Sequence, residues 1–240
     1  MICDEGAHKM AEEKLMMKAL SMDIITAKMF TELHLSITEQ YGEHGRGLVQ
    51  KGLEAFGLKD AETMAKKATA EGENHTIFEY LPSSVEGEEK FADLTTFARF
   101  SKMFAQIAKS VVDEYGEAGE QVIMRAVERF GHKRGQGIAQ RARTNGLENS
   151  VEHYLTNYDM GRSDLFEIET VYKENEVEQT FTHCPLGQQW ADDDMGKYGI
   201  LYCKVIDPSI AKGYNKNLEV VHDQFVLREG QCHFQFQMKE

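Results

Sequence analysis

Positive charge is in short supply in this chain: 27 lysines and arginines stand against 40 aspartates and glutamates, a formal net charge of -13 with a pI near 5.2. Such a surface repels polyanions, so nucleic acid and anionic membrane are excluded as principal partners. Long apolar runs are missing too. The opening "MICDEGAHKMAEEKLMMKALSMDIITAKMF" carries charges throughout and matches neither a secretory signal nor a transmembrane helix, which makes a cytoplasmic protein the expectation. Cysteine is sparse and unpaired. Cys3, Cys184, Cys203 and Cys232 lie far apart with no Cys-x-x-Cys, so neither a disulfide framework nor the usual zinc signatures can be drawn, and reduced thiols are expected.

What is present is enough for a real core: 240 residues with 41% hydrophobic content suit one large domain or two modest ones. The first part of the chain repeats itself. "QYGEHGRGLVQKGLEAFG" returns as "EYGEAGEQVIMRAVERFG", and one gapless offset aligns Tyr41 with Tyr115, Gly42 with Gly116, Gly45 with Gly119, Phe56 with Phe130, Gly57 with Gly131, Gly72 with Gly146 and Tyr80 with Tyr154. Two copies of a ~74-residue unit are too long and too few for a solenoid. Residues 1–157 therefore read as a duplicated helical region.

Within each copy, apolar residues recur at helical spacing: Leu48, Val49, Leu53 and Phe56, then Val122, Ile123, Ala126, Val127 and Phe130. Gly57 and Gly131 follow these stripes as expected left-handed C-terminal caps, while Gly42 and Gly116 break the chain ahead of them. Residues 8–40 and 90–114 read as the longer preceding helices.

From about residue 158 to 240 the period changes. "LFEIETVYKENEVEQTFTHC" predicts a hairpin turning at Lys173 to Glu176, and "LEVVHDQFVLREGQCHFQFQMK" a second one. Cys232, Phe234, Phe236 and Met238 share one face of the last strand. Residues Gln188 to about Tyr214 read as helical. The fold class is α+β: a duplicated helical part followed by a small antiparallel sheet with helices on one face.

The chemistry-bearing residues concentrate in "THCPLGQQWADDDMGKYGILYCKVIDPSIAKGY". Cys184 ends a strand and precedes Pro185, a position that suits a nucleophile, although reduced cysteines are more often small buried hydrophobes. Cys203 and Asp207 would share a face of a continuous helix, but "Asp-Pro-Ser" equally gives Asp207 the ordinary task of an N-cap, and Cys203 sits among core residues. His222 is expected on the strand face of Leu218, Val220, Gln224 and Val226, as a general base or a hydrogen-bonded core residue, with His183 as its rival. Chelation by Cys184, Cys203, Asp207, His222, Cys232 and His233 is the weaker reading, since none has close ligand spacing. No metal and no cofactor are expected. "GHKRGQG" follows a helix and lacks the ending of a phosphate loop.

The order of these segments, "EYGEAGEQVIMRAVERFG", Cys184 near a strand end, "YCKVID" and the closing "LREGQCHFQF", resembles the L-2-amino-thiazoline-4-carboxylic acid hydrolase family from about Phe97 onward. The resemblance implies a hydrolase that opens a cyclic amidine ring to an N-carbamoyl amino acid. The motif positions Cys184, Cys203, Asp207, Gly230 and Cys232 carry over with it. On that basis Cys184 is the expected nucleophile with Cys203 as alternative, His222 or His183 the base and Asp207 the orienting group or proton carrier. Trp190, Tyr202 and Cys232 are expected to line the substrate site. A small carboxylate substrate needs a cation, for which Arg162, Lys204 and Lys212 are near in sequence. The closing "EVVHDQFVLREGQCHF" also resembles 4-vinyl-reductase-like ligand-binding domains, which implies a second reading, a small-molecule-binding domain without catalysis. An exposed face of the duplicated unit could also serve a homo-oligomer.

Overall fold

A computed structural model describes residues 19–161, 163–173 and 175–239. Helix α1 (Met22–Phe56) starts where the Ser21 hydroxyl accepts a hydrogen bond from the Ile24 N–H. That start is later than the expected one, and residues 8–18 lie outside the described part. At Gly42 the helix kinks (φ 57°, ψ -137°), and Gly116 takes nearly the same conformation (φ 57°, ψ -132°) between α3 (Thr96–Tyr115) and α4 (Glu117–Thr144). An L side chain rarely adopts such a backbone, which is why both positions are glycine. Beside the two breaks, Tyr41 and Tyr115 stack with ring centroids 3.8 Å apart and planes within 3°.

Helix α2 (Leu58–Ala70) and a 3-10 turn (Thr76–Tyr80) follow the first helix. The stretch from residue 90, expected as helix, is instead tied into a loop, because Asp60 accepts from the backbone N–H groups of Lys90 and Phe91. Helix α3 begins only at the Thr95 cap. The buried stripes of α1, α3 and α4 make the core, with Phe30, Leu33, Phe56, Phe100, Phe104 and Phe130 almost wholly enclosed.

Gly131 is not a helix cap. Helix α4 runs through it to Thr144, and its role is close approach: a Cβ there would lie 2.7 Å from Ser209 Cβ, and one on Gly135 only 2.0 Å from the Ile210 carbonyl oxygen. Two glycines one turn apart let α8 (Ile206–Tyr214) lie against α4 at backbone distance. Gly57 does cap α1, with φ 131°.

The first part closes with the short helix α5 (Val151–Thr156), and the second brings β1 (Glu167–Lys173) and β2 (Glu176–His183). The single helical stretch expected from Gln188 to Tyr214 is three helices, α6 (Pro185–Asp192), α7 (Gly196–Cys203) and α8. Strand β3 (Leu218–Gln224), the turn-like α9 (Val226–Glu229) and β4 (Cys232–Met238) complete an antiparallel sheet in the order β1-β2-β4-β3. Val226 thus leaves the strand face on which it was expected. On β4, Cys232, Phe234 and Phe236 are buried while the intervening residues are more open, as the alternation predicts. The architecture is α+β.

Candidate functional site

The site is built around a charge placed where the helix pattern alone would put a hydrophobic residue. Arg134 lies on α4 between Gly131 and Gly135, so the close α4–α8 packing encloses its guanidinium, and the residue is only 6% exposed. Its partner is Asp159, just before the Leu20–Met160 bridge, whose backbone carbonyl accepts from Leu20 N–H at 2.7 Å. Arg134 Nε donates to Asp159 Oδ2 at 3.0 Å and Nη2 donates to Oδ1 at 2.6 Å. Burial works against the charge on Arg134, but neighbouring Tyr158 and Asp159 outweigh it and hold the guanidinium firmly protonated. The guanidinium carbon also stands 5.3 Å from the Tyr158 ring centroid.

Asp207 joins this group from the first turn of α8. The helix starts two residues earlier than a capping aspartate requires, with Val205 at the N-cap and no side-chain capping bond. So Asp207 is not the N-cap that its Asp-Pro-Ser setting suggests. Burial pushes its carboxyl up to about 6, against the opposing pull of Arg134 and of a backbone N–H. Tyr154 and Tyr202 are buried and Tyr158 half-buried, all three feel its charge, and desolvation keeps their phenols protonated well beyond neutral pH. The Tyr154 hydroxyl is enclosed and has no hydrogen-bond partner among the described residues.

The three described cysteines gather at the same place from three elements: Cys184 caps α6, Cys203 ends α7 and Cys232 opens β4. Cys184 raises the pKa of Cys203 and Cys232, Cys232 raises that of Cys203, and Asp207 raises all three. Desolvation is the largest influence on every one, pushing Cys232 up to about 12 and Cys184 and Cys203 above the ordinary thiol range. Cys184 and Cys203 keep partial surface exposure as residues, yet their sulfurs behave as enclosed groups. Backbone N–H groups of Leu186 and Gly187, at the start of α6, favour a Cys184 thiolate, and burial outweighs them. Cys203 and Asp207 do not share one helix, because the chain turns between α7 and α8; the fold brings them together regardless.

His222 points from β3 into the helix-covered side of the sheet. Its Nδ1 lies 3.1 Å from the Cys203 carbonyl oxygen, which makes that nitrogen the donor, and its ring packs 4.0 Å from the rings of Phe225 and Phe234. Burial lowers its pKa to about 4, and its Nε2 is enclosed without a partner. His183 is half-buried at the end of β2, opposite Glu167. Among the described residues neither histidine is hydrogen-bonded to a thiol.

Trp190 is wholly buried, its Nε1 donating to the Ser101 carbonyl at 2.8 Å and its ring packed on Phe104 and Tyr202. That is the placement of a core residue. Tyr202 packs against Phe100 and Phe104 yet feels Arg134 and Asp207, so it bridges core and site. The Cys232 sulfur accepts from Val226 N–H at 3.3 Å. Lys204 and Lys212 are exposed, and Arg162 lies outside the described residues.

Sequence reasoning passed over Arg134, Asp159, Tyr154 and Tyr158. One signal was available: an arginine between glycines on the apolar side of a helix needs a buried partner, whatever "GHKRGQG" is not. Among the described residues no three of His, Cys, Asp and Glu are grouped so as to hold a metal ion. No described helix is long and apolar enough to cross a membrane. A cavity of about 400 Å³ adjoins the group and shares Arg134 and Asp159 with it, while the cysteines and His222 are not among its walls.

Comparison with known proteins gives one family. A model described as L-2-amino-thiazoline-4-carboxylic acid hydrolase matches residues 96–236, which spans α3, α4 and nearly all of the sheet region. No curated protein matches the sequence. An H-NOX protein from S. oneidensis, solved in its Fe(II)NO ligation state, superposes at a TM-score of 0.39 with 13% identity, over 89% of this chain and 99% of that one. A likeness at that level carries no argument.

Proposed function

Because the chain belongs to the L-2-amino-thiazoline-4-carboxylic acid hydrolase family, we propose that it hydrolyses a small cyclic amidine bearing a carboxylate, using Asp207 as the general base. The observation that carries this reading is the desolvated carboxyl of the half-buried Asp207, whose pKa near 6 matches a group that must take and return a proton close to neutral pH. Arg134 beside it supplies a fixed positive charge that needs no reorganisation during reaction.

In this reading ionised Asp207 takes a proton from water as the water oxygen bonds to the amidine carbon between nitrogen and sulfur. The carbon–sulfur bond then breaks, its electron pair leaves with sulfur, and the proton held by Asp207 goes to that sulfur. The second water proton passes to nitrogen as the C=O forms, leaving an N-carbamoyl amino acid with a free thiol. Attack by Cys184 is the less favoured route, because a buried thiol must first lose its proton in surroundings that disfavour the thiolate. The cysteines are then walls of the site rather than reagents.

The test is ring opening of 2-amino-thiazoline-4-carboxylate from pH 4.5 to 8. Wild-type kcat/KM should rise about tenfold per pH unit below pH 6 and level off above it, and Asp207→Asn should lose about 10²–10⁴-fold. Full activity in Asp207→Asn would end the assignment of the base. A wild type that binds the acid and never opens it would make the domain a binding module instead.

A further inference from the structure

Strand β1 is the least enclosed element of the sheet. It stands at the outer end of the order β1-β2-β4-β3, so the N–H and C=O groups along its free edge pair with no described strand. Its side chains are uncovered as well. Phe236 on β4, Val177 on β2 and Tyr172 on β1 lie in one row across the helix-covered side of the sheet, and exposure along that row goes from 3% and 2% to 62%. Ile168, on the same side of β1, is 46% exposed, and Val171 on the opposite side is exposed too. Helices α5 and α8 pack on β2, β4 and β3, and Tyr172 has no such cover.

An apolar strand edge left open in this way is a template for a further strand. The order of residues in β1 fits one strand in particular, its own copy. Reversed against a second β1 about Thr170, Glu167 meets Lys173, Ile168 meets Tyr172 and Thr170 meets Thr170, and the first two pairs each occur twice by symmetry. Opposite charges, an aromatic beside a β-branched side chain, and paired threonines are the cross-strand contacts that stabilise an antiparallel sheet.

The charges on the strand suit that pairing. Glu167 accepts from the Thr182 hydroxyl and forms no ion pair within its own chain among the described residues. Lys173 holds Glu176 and Glu178 with two of its donors, and an ammonium has three. Only Glu169 with Val171 is a mixed pair, and it lies on the open side of the sheet, where water hydrates the carboxylate. A slip of two residues, the step that keeps the side-chain faces, is worse in both directions. One way it sets Glu169 against Glu169, and the other way it carries Ile168 past the end of the strand.

We propose that the chain forms a two-fold dimer through antiparallel pairing of β1 with β1 of a second copy, which joins two four-stranded sheets into one of eight. A two-fold axis perpendicular to the sheet keeps its faces in common. Ile168 and Tyr172 of both copies then form an apolar cluster between the two sets of helices. The surface for self-association is the sheet edge rather than the duplicated helical unit, and it is independent of the hydrolase reading.

Sedimentation velocity over a hundredfold range of concentration tests this. At the upper end the wild type should sediment as a species of twice the 27.3 kDa chain. Ile168→Lys combined with Tyr172→Lys, and separately Ile168→Glu combined with Tyr172→Glu, set like charges opposite one another. Each double variant should be monomeric throughout and keep the circular dichroism spectrum of the wild type, because both side chains are exposed. Mixing the lysine form with the glutamate form should restore a dimer, since position 168 of one then meets position 172 of the other with opposite charge. Dimers that survive in both double variants, or a mixture that stays monomeric, would overturn the pairing. A wild type that is monomeric at every concentration would overturn it too and leave the edge to residues 1–18 or to another protein.

Discussion

Arg134 and Asp159 form a two-pronged ion pair inside the protein, 3.0 and 2.6 Å between the bonded atoms, with side chains only 5% and 4% exposed. Such a pair gains little over well-packed apolar residues but is very unfavourable to break from one side, because the survivor is a buried, unpaired charge.

Arg134→Met should therefore cost about 3–5 kcal/mol in urea unfolding, and the double change Arg134→Met with Asp159→Leu should recover much of that loss. A double variant no more stable than the single one would mean that Asp159 is not the group left stranded.

Asp207 and His222 give opposite slopes to stability over one pH range. The Asp207 carboxyl is raised in the folded state from 3.8 to about 6, so the folded form holds the extra proton and stability falls as pH rises from about 4 to about 6. His222 is lowered from 6.5 to about 4, so the unfolded form holds the extra proton and stability falls as pH drops from about 6.5 to about 4. Removing the Asp207 charge with Asp207→Asn should raise stability at pH 7 by about 1–3 kcal/mol relative to pH 4, as read from thermal melts across the range. An equal melting difference at both pH values would show that Asp207 titrates normally.

The thiols of Cys184, Cys203 and Cys232 are all held above the ordinary range by burial. At pH 7.5 they should react with a disulfide reagent at least tenfold more slowly in the folded protein than in denaturant, because only the thiolate attacks. Cys184→Ser should keep ring opening within a few-fold of wild type. Fast native-state labelling of Cys184, together with inactivity of that variant, would restore it as nucleophile.

Gly135 and Gly137 lie on the same helix with opposite surroundings. A Cβ on Gly135 would meet the Ile210 carbonyl oxygen at 2.0 Å and the Tyr214 nitrogen at 2.6 Å, whereas one on Gly137 meets nothing within 4 Å. Gly135→Ala should destabilise by about 1–3 kcal/mol or more through forced separation of α4 and α8. Gly137→Ala should be neutral or stabilise by roughly 0.5–1 kcal/mol, as alanine does in a helix interior. Equal effects in denaturant titrations would mean that the two helices are not in backbone contact.

The sequence by itself determined the class of fold, because periodicity is a local property. Apolar stripes placed the helices around Phe56 and Phe130, alternation from Cys232 to Met238 placed β4, and the matched Gly42 and Gly116 marked two equivalent breaks. It also gathered Cys184, Cys203, Asp207 and Cys232 as residues worth watching. The tertiary structure alone decided what their surroundings do. Whether a thiol ionises or an aspartate holds its proton depends on desolvation and on charges distant in sequence, such as Arg134 and Asp207, 73 positions apart. A glycine's task is equally non-local: Gly131 reads as a helix stop from its neighbours in the chain and becomes a helix contact only when α8 lies across it.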